Sequence, residues 1–118
     1  MHPKTRFVFT ASLDVDPAKE DLFNEVYDTE HVPFLLKVPG VLAVTRVLSE
    51  PGATMRIDGQ SKALVAEAEP KYSAIYELES AAVLLSDAWA AAVDRGRWPI
   101  EVRPHIRARR HTLKKVIV

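Results

Sequence analysis

At 118 residues and 47% hydrophobic content, the chain has the size and composition of one domain, spanning residues 1–118, with a substantial core. Sixteen basic residues balance sixteen acidic ones, so no net field attracts nucleic acid or an anionic membrane, and neither is expected as a partner. The lack of cysteine excludes disulfides, thiolate nucleophiles and thiolate metal sites, and no apolar run approaches bilayer length, so a soluble, cytoplasmic protein is expected.

In chain order, Phe7, Phe9 and Ala11 alternate with Val8, Thr10 and Ser12, which predicts a first strand. Asp14-Val15-Asp16-Pro17 then supplies capping carboxylates and a first-turn proline, and Leu22, Phe23, Val26 and Tyr27 follow at helical spacing. Pro33 lacks an amide hydrogen and crowds the carbonyl four residues back, so the helix is expected to kink or stop there. A short second piece, Phe34 to Val38, ends at Pro39-Gly40. Val41 to Leu48 alternates as strand two. From Glu50 to Pro70 the periodicity is lost, and Pro51-Gly52 and Asp58-Gly59 are turn signals. That stretch is expected to be a long loop, with at most one helical turn near Lys62 to Ala68. Lys71 to Leu78 predicts strand three. Ser80 caps a second helix with a broad apolar face of Ala81, Leu84, Leu85, Ala88, Trp89 and Val93, closed by Arg95-Gly96. A last strand is expected from about His105 to Val116.

The order strand, helix, strand, strand, helix, strand is the ferredoxin-like βαββαβ arrangement: an α+β domain whose antiparallel four-stranded sheet carries both helices on one face. The other face should be polar, yet Val8, Ala43, Val47, Tyr72 and Tyr76 place apolar groups on both faces of the strands. A second copy of the chain, packed about a two-fold axis, is the economical cover, so a homodimer is expected.

Several segments also resemble a known group. Tyr27-Asp28-Thr29-Glu30-His31-Val32-Pro33, Val38-Pro39-Gly40-Val41, Arg46 and Tyr72-Ser73-Ala74-Ile75-Tyr76-Glu77-Leu78 are similar to the EthD-like families of the dimeric α+β barrel superfamily. That superfamily includes cofactor-independent monooxygenases, muconolactone-type isomerases and polyketide cyclases, so the resemblance does not choose a chemistry. It implies a pocket between helices and sheet in each subunit, with His31 facing it.

The residues themselves point to the same place. Phe23, Tyr27, His31 and Leu35 are spaced four apart and form one stripe to the extent that the helix continues. An imidazole of ordinary pKa, near 6.5, suits a general acid or base at a small apolar pocket. The alternative is that His31 braces the broken helix by a hydrogen bond. Tyr27 could orient a ligand or the imidazole through its hydroxyl, or simply pack. Arg46 shares a strand face with Leu42, Val44 and Leu48, so it needs an acidic partner such as Glu77 or Glu30, or a ligand carboxylate. Arg110 poses the same question, alternating in register with Ile106 and Ala108. Trp89 and Trp98 are candidate pocket walls. The candidate site is thus His31 and Tyr27 at the chemistry, with Arg46, Glu30, Trp89 and Arg110 holding a small organic molecule.

No cofactor and no metal are expected. His105 and His111 lie roughly 20 Å apart on a strand, and Asp28 with His31 lacks third and fourth ligands at recognisable spacing. The expected function is a cofactor-independent enzyme moving a proton, oxygenating or isomerising a small carbonyl or lactone-type compound. The competing reading is a dimeric ligand-binding or accessory protein without chemistry of its own.

Overall fold

The computed structural model describes residues 1–64 and 69–118. Four strands, β1 (Phe7–Val15), β2 (Val41–Leu48), β5 (Tyr72–Leu78) and β6 (Ile106–Lys115), form an antiparallel sheet in the order β2-β5-β1-β6. The helical segments pack on one face of it, around a core that includes Phe23, Val26, Leu35, Leu78 and Val102. No helix is long and apolar enough to cross a membrane among the described residues.

Between β1 and β2 the chain forms a short 3-10 turn at Pro17–Lys19, then α1 (Glu20–Val26), a π-helical turn at Tyr27–His31 and α2 (Val32–Leu36). The expected stop at Pro33 is therefore replaced by a continuous helix. A wider turn just ahead of the proline relieves the clash of its ring with the preceding carbonyls, and the Val32 amide donates five residues back, to Tyr27. The widened turn also keeps the four-residue stripe aligned, so Phe23, Tyr27, His31 and Leu35 are all buried.

The long loop expected between strands two and three contains a hairpin, β3 (Thr54–Ile57) and β4 (Gln60–Ala63), paired from Ile57↔Gln60. Asp58 (φ 52°) and Gly59 (φ 72°) are both left-handed, the conformation that a two-residue hairpin turn requires. Of the helical turn expected near Lys62 to Ala68, Lys62 and Ala63 lie in β4 instead, and residues 65–68 lie outside the described residues.

Helix two is broken. A 3-10 segment, Ala81–Leu85, capped by the Ser80 hydroxyl, gives way to α3 (Asp87–Val93), capped by the Ser86 hydroxyl on the Trp89 amide. The break turns Leu85 out to solvent, 89% exposed, away from the apolar face on which it was expected.

The sheet's far face is more polar than expected, because Tyr72 and Tyr76 both point to the helix side and are buried there. Side chains alternate along β5, so the far face receives Ser73, Ile75 and Glu77, and β1 and β2 add Val8, Thr10, Ala43, Thr45 and Val47.

The strand β6 contains an irregularity that decides the site. Ile106 pairs with Val15 and Arg107 with Asp14, but the next pairing is Arg110 with Ser12, so Ala108 and Arg109 together oppose Leu13. Ala108 takes up the bulge at φ 53°, a left-handed conformation that costs a residue with a β-carbon roughly 1–2 kcal/mol. Because side chains alternate with period two, one extra residue inverts the faces of everything beyond it.

Candidate functional site

Between the helices and the near face of the sheet lies a cavity of about 370 Å³. It is lined by Phe9, Ala11 and Leu13 of β1, by Tyr27, His31 and Leu35 of the helix stripe with Trp98 packed against them, and by Trp89 and Val93 of α3. Its polar groups are His31, Arg103, Arg109, His111 and the hydroxyl-bearing ring of Tyr76.

His31 is only 5% exposed. Its ring stacks on the Trp98 indole (centroids 4.1 Å apart, planes 15° apart) and meets Tyr27 edge to face at 4.9 Å. The Nδ1 atom is shut off from solvent and has no hydrogen-bond partner. Nε2 is thus the polar atom through which the ring can meet a ligand. Burial first, and the positive charge of Arg103 second, push the His31 pKa down to about 4. The ordinary value expected from sequence does not apply: near neutral pH the ring is uncharged, with one N–H and one lone pair. A protonated Nδ1 would strand a donor in an apolar enclosure. The proton therefore belongs on Nε2, where it can be donated into the cavity.

Trp98 is brought to His31 by a second π-helical turn, Trp98–Val102, which follows Gly96. Gly96 is left-handed (φ 68°), and a β-carbon there would strike the Glu30 carboxylate. That carboxylate accepts from the Arg97 amide at 2.9 Å and from the Arg97 guanidinium. The amide first, and the side chain second, hold the Glu30 pKa below the usual carboxylate range. Glu30 is therefore a tether between the two π turns. It does not line the cavity, and its expected role beside the imidazole or a ligand is corrected on that ground.

The Tyr27 hydroxyl is likewise committed elsewhere, 2.6 Å from that of Tyr76. Desolvation pushes the Tyr27 pKa up to about 12, and that of Tyr76 well above its ordinary value. Tyr27 therefore meets His31 through its ring, not through its hydroxyl. Removing either oxygen alone would leave the other buried without a partner.

Arg46 has its acidic partner, but it is neither Glu77 nor Glu30. Its guanidinium donates to Asp28 at 2.6 Å and to Asn24 at 2.9 Å, and lies over the Tyr27 ring at 4.5 Å. Glu77 sits on the opposite face of the sheet, where it accepts from the His2 amide and the Thr5 hydroxyl. Arg46 supports the Tyr27 side of the stripe from outside the cavity.

The bulge at Ala108 corrects Arg110. Uninterrupted pairing would have set Arg110 beside Ala11 on the cavity side; the extra residue turns it to the far face, where it pairs with Glu69 at 2.9 Å. The same inversion brings Arg109 and His111 to the cavity, with the His111 ring 5.6 Å from that of Phe9. Desolvation first, and Arg109 second, lower the pKa of His111. Trp89 lines the cavity, packed against Phe9 and Tyr76. Among the described residues no three His, Asp or Glu side chains gather where they could hold a metal.

A four-stranded antiparallel sheet in this order, with its helices on one face and a cavity beneath them, defines the ferredoxin-like α+β class. Two solved structures share the fold along nearly the whole chain. One is the heme-degrader MhuD from Mycobacterium tuberculosis, solved with two hemes bound in its active site (15% identity, 95% of this chain and 96% of that one covered, TM-score 0.58). The other is an ethyl tert-butyl ether D (EthD) family protein from Bacillus halodurans (15% identity, 94% and 99% covered, TM-score 0.56). No protein-family model matches the sequence, and no curated protein does.

Proposed function

We propose that the chain is a small-molecule enzyme acting, without a bound cofactor, on a carbonyl or lactone-type compound held in the cavity, with His31 at the reacting carbonyl. One observation carries this reading. A nearly buried, uncharged imidazole with a sealed, unpartnered Nδ1 stands at the wall of a cavity of about 370 Å³. Leaving a buried polar nitrogen unpaired costs roughly 1–3 kcal/mol, which an apolar side chain would avoid.

The chemistry follows from the charge state. A neutral imidazole is a weak base but a well-placed N–H donor, able to polarise a carbonyl oxygen and stabilise the negative charge that develops there. The proton leaving the adjacent carbon passes to the second cavity imidazole, His111, which is more exposed than His31. In an isomerisation the protonated His111 then gives that proton back to the conjugated enolate at another carbon, which restores both the carbonyl and the neutral imidazole.

Incubating the protein in heavy water with a panel of aromatic ketones and lactones, and following the hydrogens next to the carbonyl by proton NMR, tests this directly. Exchange catalysed by the wild type and lost in His31→Phe is the expected outcome. Exchange no faster than in buffer, or undiminished in the variant, would remove His31 from the mechanism.

The weak basicity of His31 also favours a second reading, a binding protein that performs no chemistry. Heme is one ligand to include, since MhuD, a structural neighbour, was solved with hemes bound in its active site. Saturable binding of any panel compound or of heme, without exchange or product, would select this reading.

The far face of the sheet is proposed to pair with that of a second copy. Val8, Ala43, Val47 and Ile75 lie there among Thr10, Thr45, Ser73 and Glu77, and a second copy would cover these apolar groups. Light scattering should report twice the mass of the chain; a folded monomer at micromolar concentration would contradict the pairing.

A further inference from the structure

The charged side chains on the cavity wall are of one sign: Arg103 and Arg109 line it beside the imidazoles of His31 and His111, and among the described residues no aspartate or glutamate does. The two guanidiniums differ in what they hold. Arg103 donates to the Val93 carbonyl at 2.7 Å and to Asp94 at 2.8 Å, so its charge is already balanced by a carboxylate outside the cavity. Arg109 makes no ion pair with any described residue. Its inward direction is bought by a backbone irregularity: Ala108, at φ 53°, holds the bulge that sends Arg109 to the near face and its neighbour Arg110 to the far one. A left-handed alanine thus brings to a largely apolar cavity a cation that no described carboxylate balances. Arg109 is exposed to solvent, whereas His31 is buried.

We infer that the cavity selects ligands carrying a carboxylate, that Arg109 receives it, and that an apolar, flat body extends from there toward His31 between Phe9, Trp89 and Trp98. The guanidinium fork matches a carboxylate with two parallel N–H donors, which a neutral amide or ester cannot engage equally well. The inference rests on the small-molecule reading above and narrows its substrates to carbonyl compounds that are also acids.

The test compares naphthoate with its neutral amide, naphthamide, by titration calorimetry on the wild type and on Arg109→Gln, with circular dichroism to show that the variant is folded. Naphthoate should bind the wild type about tenfold more tightly than naphthamide, the size of one charge-assisted contact at a partly exposed site. The preference should weaken as salt is added. In Arg109→Gln the preference should vanish, with naphthoate falling to the affinity of naphthamide. Equal affinities in the wild type would overturn the charge selection and leave the small-molecule reading standing. A preference that survives in Arg109→Gln would overturn the assignment to Arg109. Failure of both compounds to bind would overturn the inference, and the hydrogen-exchange experiment would then decide the fate of the broader reading separately.

Discussion

Replacing His31 with phenylalanine is expected to remove a large part of the protein's sensitivity to mild acid. The folded chain holds the imidazole neutral down to a pKa of about 4, whereas the unfolded chain takes up a proton at the ordinary 6.5. Between those values the unfolded state binds more protons, so stability rises with pH. The contribution is fully present above pH 6.5 and is lost as the pH falls toward about 4. Each pH unit in that window is worth about 1.4 kcal/mol, so wild-type stability should fall by roughly 2 kcal/mol more than the variant's between pH 7 and pH 5. Against a total of roughly 5–15 kcal/mol this is a visible shift. The carboxylates with lowered pKa, Glu20, Glu30 and Glu77, lose their contributions at lower pH, below the ordinary 4.5, and do so equally in both proteins. At pH 7 the variant should be as stable as the wild type or more so, because it no longer buries an unpartnered nitrogen. Urea unfolding at the two pH values reads both effects. Parallel losses in the two proteins would show that His31 is protonated in the fold as readily as in solution.

Trp98→Ala should be the most destabilising substitution near the site. The indole is buried and touches three members of the helix stripe, with ring centroids at 6.1 Å from Phe23, 5.1 Å from Tyr27 and 4.1 Å from His31. Truncating a buried tryptophan costs roughly 3–5 kcal/mol when the surroundings cannot collapse. Here they cannot do so readily, because the void would open into the existing cavity, between elements tied by the Glu30–Arg97 contact. The same change should move the His31 pKa back up, since water would reach the ring. A loss under about 1 kcal/mol in thermal unfolding would mean that Trp98 is a lid over the site and not part of the core.

The fold was legible because its signals are local. Alternation in β1 and β2, the Ser80 cap and the four-residue stripe through His31 depend on residues close in sequence. The departures arise where a backbone irregularity intervenes. The hairpin at Thr54–Ile57 and Gln60–Ala63 did have a sequence signal, Asp58-Gly59 after the alternation Thr54-Met55-Arg56-Ile57, but its strands are exposed and bury neither face. The β6 bulge had none: a glycine would have marked a left-handed position, and an alanine holds it instead. Without the bulge, Arg110 and not Arg109 reads as the inward side chain, which is why the cationic side of the site was assigned one residue away. The partners of Arg46 and Glu30 were misjudged for a related reason. Strand parity puts Glu77 on the far face, and Glu30 is claimed by Arg97, which the π turn after Gly96 brings back across the domain. The lowered pKa of His31 comes from burial by Trp98, a residue 67 positions along the chain.

The most direct test of the account is an NMR titration of the His31 ring. Its central claim is an uncharged imidazole facing the cavity through a protonated Nε2. Ring nitrogen shifts should report the neutral ring with the proton on Nε2 throughout the neutral range, with charging only near pH 4. A His31 signal that titrates near 6.5, as an exposed histidine does, would contradict both the buried site and the chemistry proposed for it.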